Sequence, residues 1–450
     1  MMQLQTGHAG GGVGVREGGV FGRLLLYGYI FYVIYAPPLP IGGEFLRVMV
    51  LMAVPPLVFL GAAVSGARSA PGADLLRGRS VSAFLIATLF GALYVAIVVT
   101  ATAAVSGLEE TRLVQNFLPG LVVINAAVIV GVLNKTGHSR WGSFEVLLWM
   151  GAFQGMFSIA GALIESIHDV SRSLYAASGG ANEYVAANRV YGVSTDFTYG
   201  TPIYHGIVAA VAIWYVITER KTRYVIPALL MVASSSLNAR TGVLVFCGML
   251  IIFAILYYIQ RVNFVGVMSV VLAGLGAGYI AIELLREYVP AVYASYEALV
   301  KDTENLLYLD QYTGNYSVLI PEIKRIPEGL GLIFGEGKRL YSLGAGERTD
   351  IGFTNDLFLG GLVYVVPVYV CFMLFLLTKG TSGRILGISL VFAATVATIK
   401  GEMLHNASIL FAFAIVKLLE QQALEPAPID SDRLRVVRGN TVVYARSVRR

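Results

Sequence analysis

Residues 286–352 read REYVPAVYASYEALVKDTENLLYLDQYTGNYSVLIPEIKRIPEGLGLIFGEGKRLYSLGAGERTDIG and form the longest polar interruption in an otherwise apolar chain. Tyrosines recur along this stretch, and basic residues gather towards its end: Lys324, Arg325, Lys338, Arg339 and Arg348. Tyrosine rings stack on apolar faces such as those of sugars, and arginine forks bind phosphate oxygens. The stretch is therefore typical of a surface that binds a phosphate-bearing sugar chain. The apolar sequence on both sides of this stretch predicts transmembrane helices that position it at the membrane surface.

The composition of the whole chain predicts a membrane protein. Hydrophobic residues make up 56% of the 450 residues and charged residues only 14%, with a mean hydropathy of +0.70. Soluble domains carry about a quarter charged residues, so this balance excludes an ordinary soluble protein. The two cysteines, Cys247 and Cys371, each lie inside an apolar run, which leaves no disulfide framework and no cysteine-based metal site.

Apolar runs of spanning length predict an all-α polytopic integral membrane protein with about twelve transmembrane helices. The predicted spans are 20–36, 45–64, 81–105, 117–133, 143–163, 204–218, 225–238, 242–259, 264–284, 354–377, 385–401 and 406–419. Residues 1–19 form a tail before them, residues 20–420 form the transmembrane domain, and residues 421–450 form a basic tail.

The basic residues predict which face of the membrane each connection occupies, because Lys and Arg accumulate in cytoplasmic loops. They cluster at the amino terminus, in alternate connections and in the tail: Arg16, Arg23, Arg68, Arg77, Arg79, Lys135, Arg140, Arg220, Lys221, Arg223, Arg261, Lys379, Arg384, Arg433, Arg435, Arg438, Arg446, Arg449 and Arg450. This pattern places both termini in the cytoplasm and two long loops, 165–203 and 285–353, outside. The basic tail is expected to contact lipid rather than nucleic acid.

Two arginines are predicted on the outer side of the membrane, where basic residues do not contribute to the orientation of the chain in the membrane. They therefore need another explanation. Arg189 lies in the first long loop near Tyr191, and both lipid-headgroup binding and substrate binding fit such a residue. Arg240 lies in a short turn between two apolar helices. Burial of an arginine in the membrane costs roughly 2.5–3.5 kcal/mol, so an anionic partner is expected for Arg240.

Further polar groups stand where the chain re-enters the membrane and at the last helical break. Asp350, Asn355 and Asp356 occupy the re-entry point, where capping a helix is the commonest role of Asp and Asn. Four polar residues interrupt the last two spans: Lys400, Glu402, His405 and Asn406. A structural Lys–Glu pair would account for two of them, but four polar groups at one break more often line a site.

Glycines near the end of the second long loop predict a flexible segment whose backbone approaches a ligand closely: Gly335, Gly337, Gly344 and Gly346. The G-E-G-K sequence within it lacks the following Ser or Thr and the full spacing of a phosphate loop. We therefore expect no nucleotide at this segment.

Three motifs and the topology together resemble the bacterial O-antigen and polysaccharide polymerases of the Wzy type, within the wider group that includes the O-antigen ligases. The motifs are R-V-Y-G at Arg189–Gly192, N-A-R-T-G at Asn238–Gly242, and the F-G-E-G to T-D-I-G-F stretch at Phe334–Phe353. These polymerases are also described with an Arg-x10-Gly spacing in both large outer loops. Arg189 to Gly200 has this spacing, whereas Lys324 to Gly335 has it with lysine in place of arginine.

The resemblance implies a GT-C-like membrane glycosyltransferase of lipopolysaccharide biosynthesis in the bacterial inner membrane. It would act at the periplasmic face without metal or other cofactor. The donor would be a glycan linked to undecaprenyl diphosphate, and the acceptor would be a hydroxyl of a second lipid-linked repeat unit. Membrane lipids and a polysaccharide chain-length regulator are the other partners that the resemblance implies.

Glycosyl transfer of this kind needs cations that stabilise the departing diphosphate and a base that takes the acceptor proton. We assign the diphosphate to Arg189 and Arg240. Asp350 and Glu402 are the two alternatives for the catalytic base. Seven further residues are assigned to substrate binding: Tyr191, Lys324, Arg325, Lys338, Arg339, Arg348 and His405.

Three alternative functions share some of these features: an O-antigen ligase, a capsule or exopolysaccharide polymerase, and a polytopic transporter. O-antigen ligases resemble one another in a histidine of the second large loop, and residues 285–353 contain none. A capsule or exopolysaccharide polymerase is not separated from an O-antigen polymerase by the sequence. A polytopic transporter is the alternative outside the enzymes, although transporters place their binding groups at mid-membrane between repeats, and this chain has no internal repeat.

Overall fold

The computed structural model describes residues 20–37, 43–65, 70–106, 113–136, 138–177, 192–196, 199–261, 324–340, 351–377 and 381–424, with a few isolated positions between 283 and 321. Every secondary-structure element within these ranges is a helix, as expected. Eight of the helices are long and apolar enough to cross a membrane, and Phe21–Tyr35 forms a shorter apolar helix. This architecture fits a polytopic membrane protein.

Each predicted span overlaps a helix, except 264–284, of which the structure describes only Glu283. The α-helices are α1 (Val20–Tyr35), α2 (Gly43–Val64), α3 (Ala73–Leu76), α4 (Arg79–Ser106), α5 (Leu118–Lys135), α6 (Arg140–Leu163), α7 (Glu165–Ala177), α8 (Gly200–Glu219), α9 (Val225–Asn238), α10 (Arg240–Arg261), α11 (Leu330–Phe334), α12 (Gly352–Leu376), α13 (Thr381–Lys400) and α14 (Ala407–Leu424). Short 3-10 helices are Leu113–Phe117, Thr222–Tyr224 and Met403–His405.

The long helices run in alternating directions between two ends of a bundle. At one end, Thr195 donates to the backbone of Tyr35 and Ala36, and the start of α12 packs against Gly401. We call this the upper end. At the other, lower end, the Tyr215 hydroxyl donates to Glu420 over 2.8 Å, and several basic connections lie there: Arg79, Lys135, Arg220, Lys221 and Arg223. The structure thus separates the predicted basic connections from the predicted outer loops.

Helices α5, α8 and α14 form the centre of the bundle and are almost entirely buried. Small residues let their neighbours approach closely, which is how helices associate within a membrane. A Cβ added at Gly206 of α8 would lie 2.2 Å from the Gly242 carbonyl of α10, so these two backbones touch. The other helices pack around this centre, and their outward faces carry exposed Leu, Ile, Val and Phe side chains.

Helix α12 is broken at Gly361, whose φ of 61° lies in the left-handed region that glycine tolerates best. The break changes the direction of the chain sharply. Asp356 and Tyr369 would lie roughly 20 Å apart along a straight helix. Their side chains are instead hydrogen-bonded over 2.6 Å, so the first part of α12 turns back towards the second.

Residues 330–339 pack into the gap at this break, between α4 and α12. The amides of Glu336 and Gly337 donate to the carbonyls of Phe358 and Leu359, over 2.7 and 3.2 Å. Hydroxyl groups of α4 satisfy two carbonyls of the segment: Tyr94 donates to Phe334 over 2.8 Å, and Thr102 donates to Glu336 over 3.1 Å. Irregular backbone inside a membrane requires such partners, because hydrocarbon offers none.

The glycines of this segment serve packing rather than flexibility. Gly335 and Gly337 both have positive φ, and a Cβ at Gly335 would lie 2.6 Å from the backbone of Gly360. A Cβ at Gly337 would lie 2.5 Å from the Thr102 hydroxyl. The expectation of a flexible segment is therefore wrong for these two glycines, which are packed against helices, whereas the approach of this backbone to a ligand stays a prediction. Gly344 and Gly346 lie outside the described residues.

This packing predicts a specific loss of stability. Gly335→Ala should lower the free energy of unfolding by more than the roughly 1–3 kcal/mol of backbone strain alone, because the new methyl also meets the Gly360 backbone. Gly329→Ala is the matched control, since Gly329 also has positive φ but a Cβ there meets nothing within 4 Å. Unfolding of the purified variants in detergent measures both. Equal losses for the two variants would contradict the close contact.

Candidate functional site

A buried guanidinium lies among several ionisable side chains at the upper end of the bundle. Arg339 exposes 0% of its surface. Its Nη2 donates to Asn116 Oδ1 over 2.9 Å and lies 3.2 Å from His405 Nε2. Its Nε lies 3.8 Å from Glu402 Oε1. A buried charge needs compensation of this kind, because desolvation of an ion in a membrane interior is expensive.

The second member of the cluster is a buried carboxylate, Asp356. Its Oδ1 lies 3.1 Å from His405 Nε2, and its Oδ2 accepts the Tyr369 hydroxyl. His405 Nδ1 faces the carbonyl of Gln115 at 3.3 Å. His405 Nε2 therefore lies between the Arg339 guanidinium and the Asp356 carboxylate, whereas Nδ1 faces a backbone oxygen. We call Arg339, Asp356, Glu402 and His405 the charged cluster.

The break between α13 and α14 places Glu402 and His405 on the same side. Gly401 directly follows the last residue of α13. A Cβ at position 352 would lie 2.1 Å from the Gly401 carbonyl oxygen, so only glycine fits at Gly352. Glu402 precedes the 3-10 helix Met403–His405. Residues three apart align along a 3-10 helix, which turns both side chains towards Arg339. Asn406 then caps α14, where its side chain accepts the Ile409 amide over 3.0 Å.

The described end of the first long loop, residues 192–196 and Tyr199, contacts this end of the bundle. Asp196 accepts the Gly200 amide over 3.1 Å and the side-chain amide of Asn406, which ties the start of α8 to the start of α14. The Tyr199 hydroxyl donates to the Ala397 carbonyl. Burial raises the pKa of the Tyr199 phenol well above its usual range, and the negative charges of Asp196, Glu402 and Asp356 add to the effect.

The cluster presents one carboxylate that could accept a proton from a bound substrate. Glu402 has 16% of its side chain exposed, whereas Arg339 and Asp356 are fully buried, so Glu402 is the cluster carboxylate nearest to solvent. A carboxylate held beside a guanidinium at a helix break suits a general base with a fixed orientation. Within the described ranges, no group of three or more His, Cys, Asp and Glu side chains is placed to hold a metal ion.

The structure brings together three of the residues that the sequence assigned to the site: Glu402, Arg339 and His405. Lys400, the alternative partner of Glu402, is exposed. Lys338 forms an ion pair of 2.9 Å with Glu336.

Other assigned residues lie apart from these three or cannot be placed. Arg325 stacks over the Phe358 ring, 6.0 Å from its centroid, and Lys324 is exposed. Arg240 starts α10 at the upper end, since Gly242 packs on Pro202. The remaining four lie outside the described residues: Arg189, Tyr191, Arg348 and Asp350.

One cluster residue, Asp356, and two buried polar residues at the upper end, Asn116 and Arg47, were missed or misassigned from the sequence. The capping interpretation is wrong for Asp356, because α12 begins after Ile351 and the Asp356 carboxylate binds His405 and Tyr369 instead. Asn116 was not singled out. Nor was Arg47, which is 1% exposed and donates to Ser408 over 3.0 Å at the start of α14. A charged residue inside an apolar run was the available signal for Arg47.

Comparisons with protein-family models, with curated proteins and with solved structures gave no match for the chain.

The charged cluster predicts strong coupling between Arg339 and Glu402. Arg339→Gln should lower the free energy of unfolding by roughly 3–5 kcal/mol, because carboxylates stay buried without their cation. A double-mutant cycle with Glu402→Gln should give a coupling energy of about 0.5–3 kcal/mol. The control cycle uses Lys338→Gln and Glu336→Gln, a pair about one-third exposed, for which at most about 1 kcal/mol is expected. Additive losses for Arg339 and Glu402 would show that the two side chains do not interact.

Proposed function

We propose that this protein is a membrane glycosyltransferase that polymerises polysaccharide repeat units, an O-antigen polymerase. Its substrates would be repeat units linked to undecaprenyl diphosphate, and it would join them at the periplasmic face of the bacterial inner membrane. The observation that carries the proposal is the charged cluster at the upper end, where the two long loops return to the bundle. A partly exposed carboxylate lies there beside a fixed guanidinium.

The proposal includes the finer topology of about twelve spans, a GT-C-like fold and both termini in the cytoplasm. It is supported by the distribution of basic residues, since Arg79, Lys135 and Arg223 lie at the lower end. Basic connections remain on the cytoplasmic side. The upper end, with the charged cluster, would then face the periplasm, where lipid-linked repeat units are presented for polymerisation.

The proposed glycosyl transfer needs a base and cations, and side chains of this protein supply both. The acceptor hydroxyl oxygen bonds to the anomeric carbon of the donor sugar, while the bond from that carbon to the diphosphate oxygen breaks. Glu402 takes the hydroxyl proton, and Arg339 positions the Glu402 carboxylate. The electron pair of the broken bond leaves with undecaprenyl diphosphate, whose charge Arg240 and Arg189 would neutralise. Asp350 remains the alternative base.

Complementation of a strain that lacks the gene tests the proposal. The deletion should leave core lipid with a single repeat unit, and the wild-type gene should restore a ladder of longer chains on a gel. Glu402→Gln should reduce chain extension at least about 100-fold, because a base contributes roughly that much to proton transfer. Lys400→Gln is the matched control, since Lys400 is exposed two residues away, and it should restore the ladder.

Two outcomes would contradict the polymerase. Loss of the single-unit band in the deletion strain would indicate a ligase, a flippase or another earlier step. An intact ladder in the deletion strain would place the protein in a different pathway. Membrane levels of each variant are measured in parallel, so that a failure to fold is not mistaken for a loss of catalysis.

One observation favours a second function, a proton-coupled transporter. Asp356 and His405 are 0% and 2% exposed, and intramembrane Asp–His pairs of this kind occur in proton relays. Asp356→Asn would then abolish proton-driven uptake by the purified protein in vesicles. Polymerisation in the complementation assay would exclude this alternative as the principal function.

A further inference from the structure

The end of the first long loop is tied to two helices by bonds that do not involve the charged cluster. We call residues 192–196 together with Tyr199 the strap. Thr195 donates from its amide and its hydroxyl to two carbonyls at the end of α1, over 3.2 and 2.8 Å. The Val193 amide donates to Gln154 Oε1 of α6 over 3.0 Å. The strap therefore has a position of its own, from which it contacts the break between α13 and α14.

The Tyr199 side chain lies against the residue that directly precedes Glu402. A Cβ at Gly401 would lie 2.7 Å from Cζ of the Tyr199 ring, so the ring leaves room only for glycine at this position. The Tyr199 hydroxyl donates to the carbonyl of Ala397 in the last turn of α13, and the same carbonyl accepts the Gly401 amide over 3.0 Å. Tyr199 thus fixes the end of α13 and the backbone from which Glu402 departs.

Asp196 fixes the other end of the same turn, because it binds the residue that directly follows His405. Asp196 Oδ2 accepts the side-chain amide of Asn406, and Asp196 Oδ1 accepts the Gly200 amide over 3.1 Å. Asn406 Oδ1 is used elsewhere, since it accepts the Ile409 amide over 3.0 Å. Only one orientation of the Asn406 amide satisfies both neighbours, with its nitrogen towards Asp196.

The direction of the Glu402 carboxylate depends on the backbone from which it departs. Glu402 Oε1 lies 3.8 Å from Arg339 Nε, a separation at which the two charges attract without a directional hydrogen bond between these atoms. A general base has to be held within about 0.5 Å of its working position. Tyr199 and Asp196 contact the two residues that flank the 402–405 turn, so they restrict the movement of its backbone.

We infer that Asp196 and Tyr199 are positioning residues for proton transfer by Glu402, acting through the two ends of the turn that carries it. The inference rests on the proposed function, in which Glu402 is the base. The strap starts at Gly192, the last residue of the R-V-Y-G motif, so the loop that carries Arg189 in the sequence also holds the base. A displacement of about 1 Å can lower a catalysed rate about 100-fold.

Turnover by the full-length protein in vesicles tests the inference, with lipid-linked repeat units extracted from the deletion strain as the probe. Asp196→Asn should lower kcat about tenfold or more, because its new side-chain nitrogen would face the Asn406 nitrogen. KM should stay within about twofold of wild type, because the strap remains tied to α1 and α6 and substrate binding is unchanged.

A second substitution provides the rescue. Asn406→Asp alone should also lower kcat, because it places two carboxylates against each other. Asp196→Asn combined with Asn406→Asp restores one amide donor and one carboxylate acceptor across the contact, and aspartate can still cap the Ile409 amide. The double variant should therefore recover most of the wild-type kcat, which a general loss of packing would not do.

Tyr199→Phe tests the other end of the turn. It keeps the ring against Gly401 but removes the bond to Ala397, and kcat should fall about tenfold. Tyr215→Phe is the matched control, since the Tyr215 hydroxyl donates to Glu420 over 2.8 Å at the lower end. The control should lower the unfolding midpoint to a similar extent while kcat stays at the wild-type value.

The outcomes separate this inference from the proposed function. If wild type forms no polymer from these units, the proposed function is wrong and the inference falls with it. If wild type polymerises and the single variants keep its kcat, the inference is overturned and the proposed function stands. A raised KM with unchanged kcat would assign the strap to substrate binding, and an inactive double variant would exclude the Asp196–Asn406 contact; both results overturn the positioning role. Tyr199→Phe keeps the test open if Asp196→Asn fails to fold.

Discussion

A guanidinium that is fully buried near one end of a membrane bundle constrains everything around it. A buried guanidinium without partners is costly in a low-dielectric interior, so the structure has to supply acceptors and negative charge within reach. It does so with Asn116, Glu402 and, through His405, Asp356. These partners come from three separate parts of the chain. The position of one side chain therefore fixes how the second long loop, the 3-10 helix before α5 and the last helical break meet.

Close packing of the segment before Arg339 between α4 and α12 determines where the Arg339 side chain lies. Its segment enters between α4 and α12 only because Gly335 and Gly337 adopt positive φ and lack side chains, and because α12 breaks at Gly361. The same break brings Asp356 back to Tyr369 and His405. Polar groups thus concentrate at one end, whereas the opposite end carries basic connections. Such an asymmetric bundle suits chemistry on a polar substrate that stays anchored in lipid.

Sequence reasoning predicted the helical class and most of the helices, because spanning length and apolar composition act locally. It also selected Glu402 and His405 as polar groups at a helical break, and Arg339 as one of the basic residues of the second long loop. It did not predict that Arg339 and Asp356 both contact His405, because this arrangement depends on the break at Gly361 and on close backbone packing. Asn116 carried no signal, as an amide next to a helix start is usually a cap. Long-range contacts of this kind have no local pattern in one sequence.

The most direct test of the central claim is made with purified protein in vesicles that contain only lipid-linked repeat units. If the charged cluster performs glycosyl transfer, two lipid-linked units should yield one lipid-linked dimer and one equivalent of undecaprenyl diphosphate, and longer products should follow with time. Equal amounts of the two products would identify bond exchange between the substrates. Movement of intact repeat units across the membrane, driven by a proton gradient and without dimer formation, would contradict the account and identify a transporter.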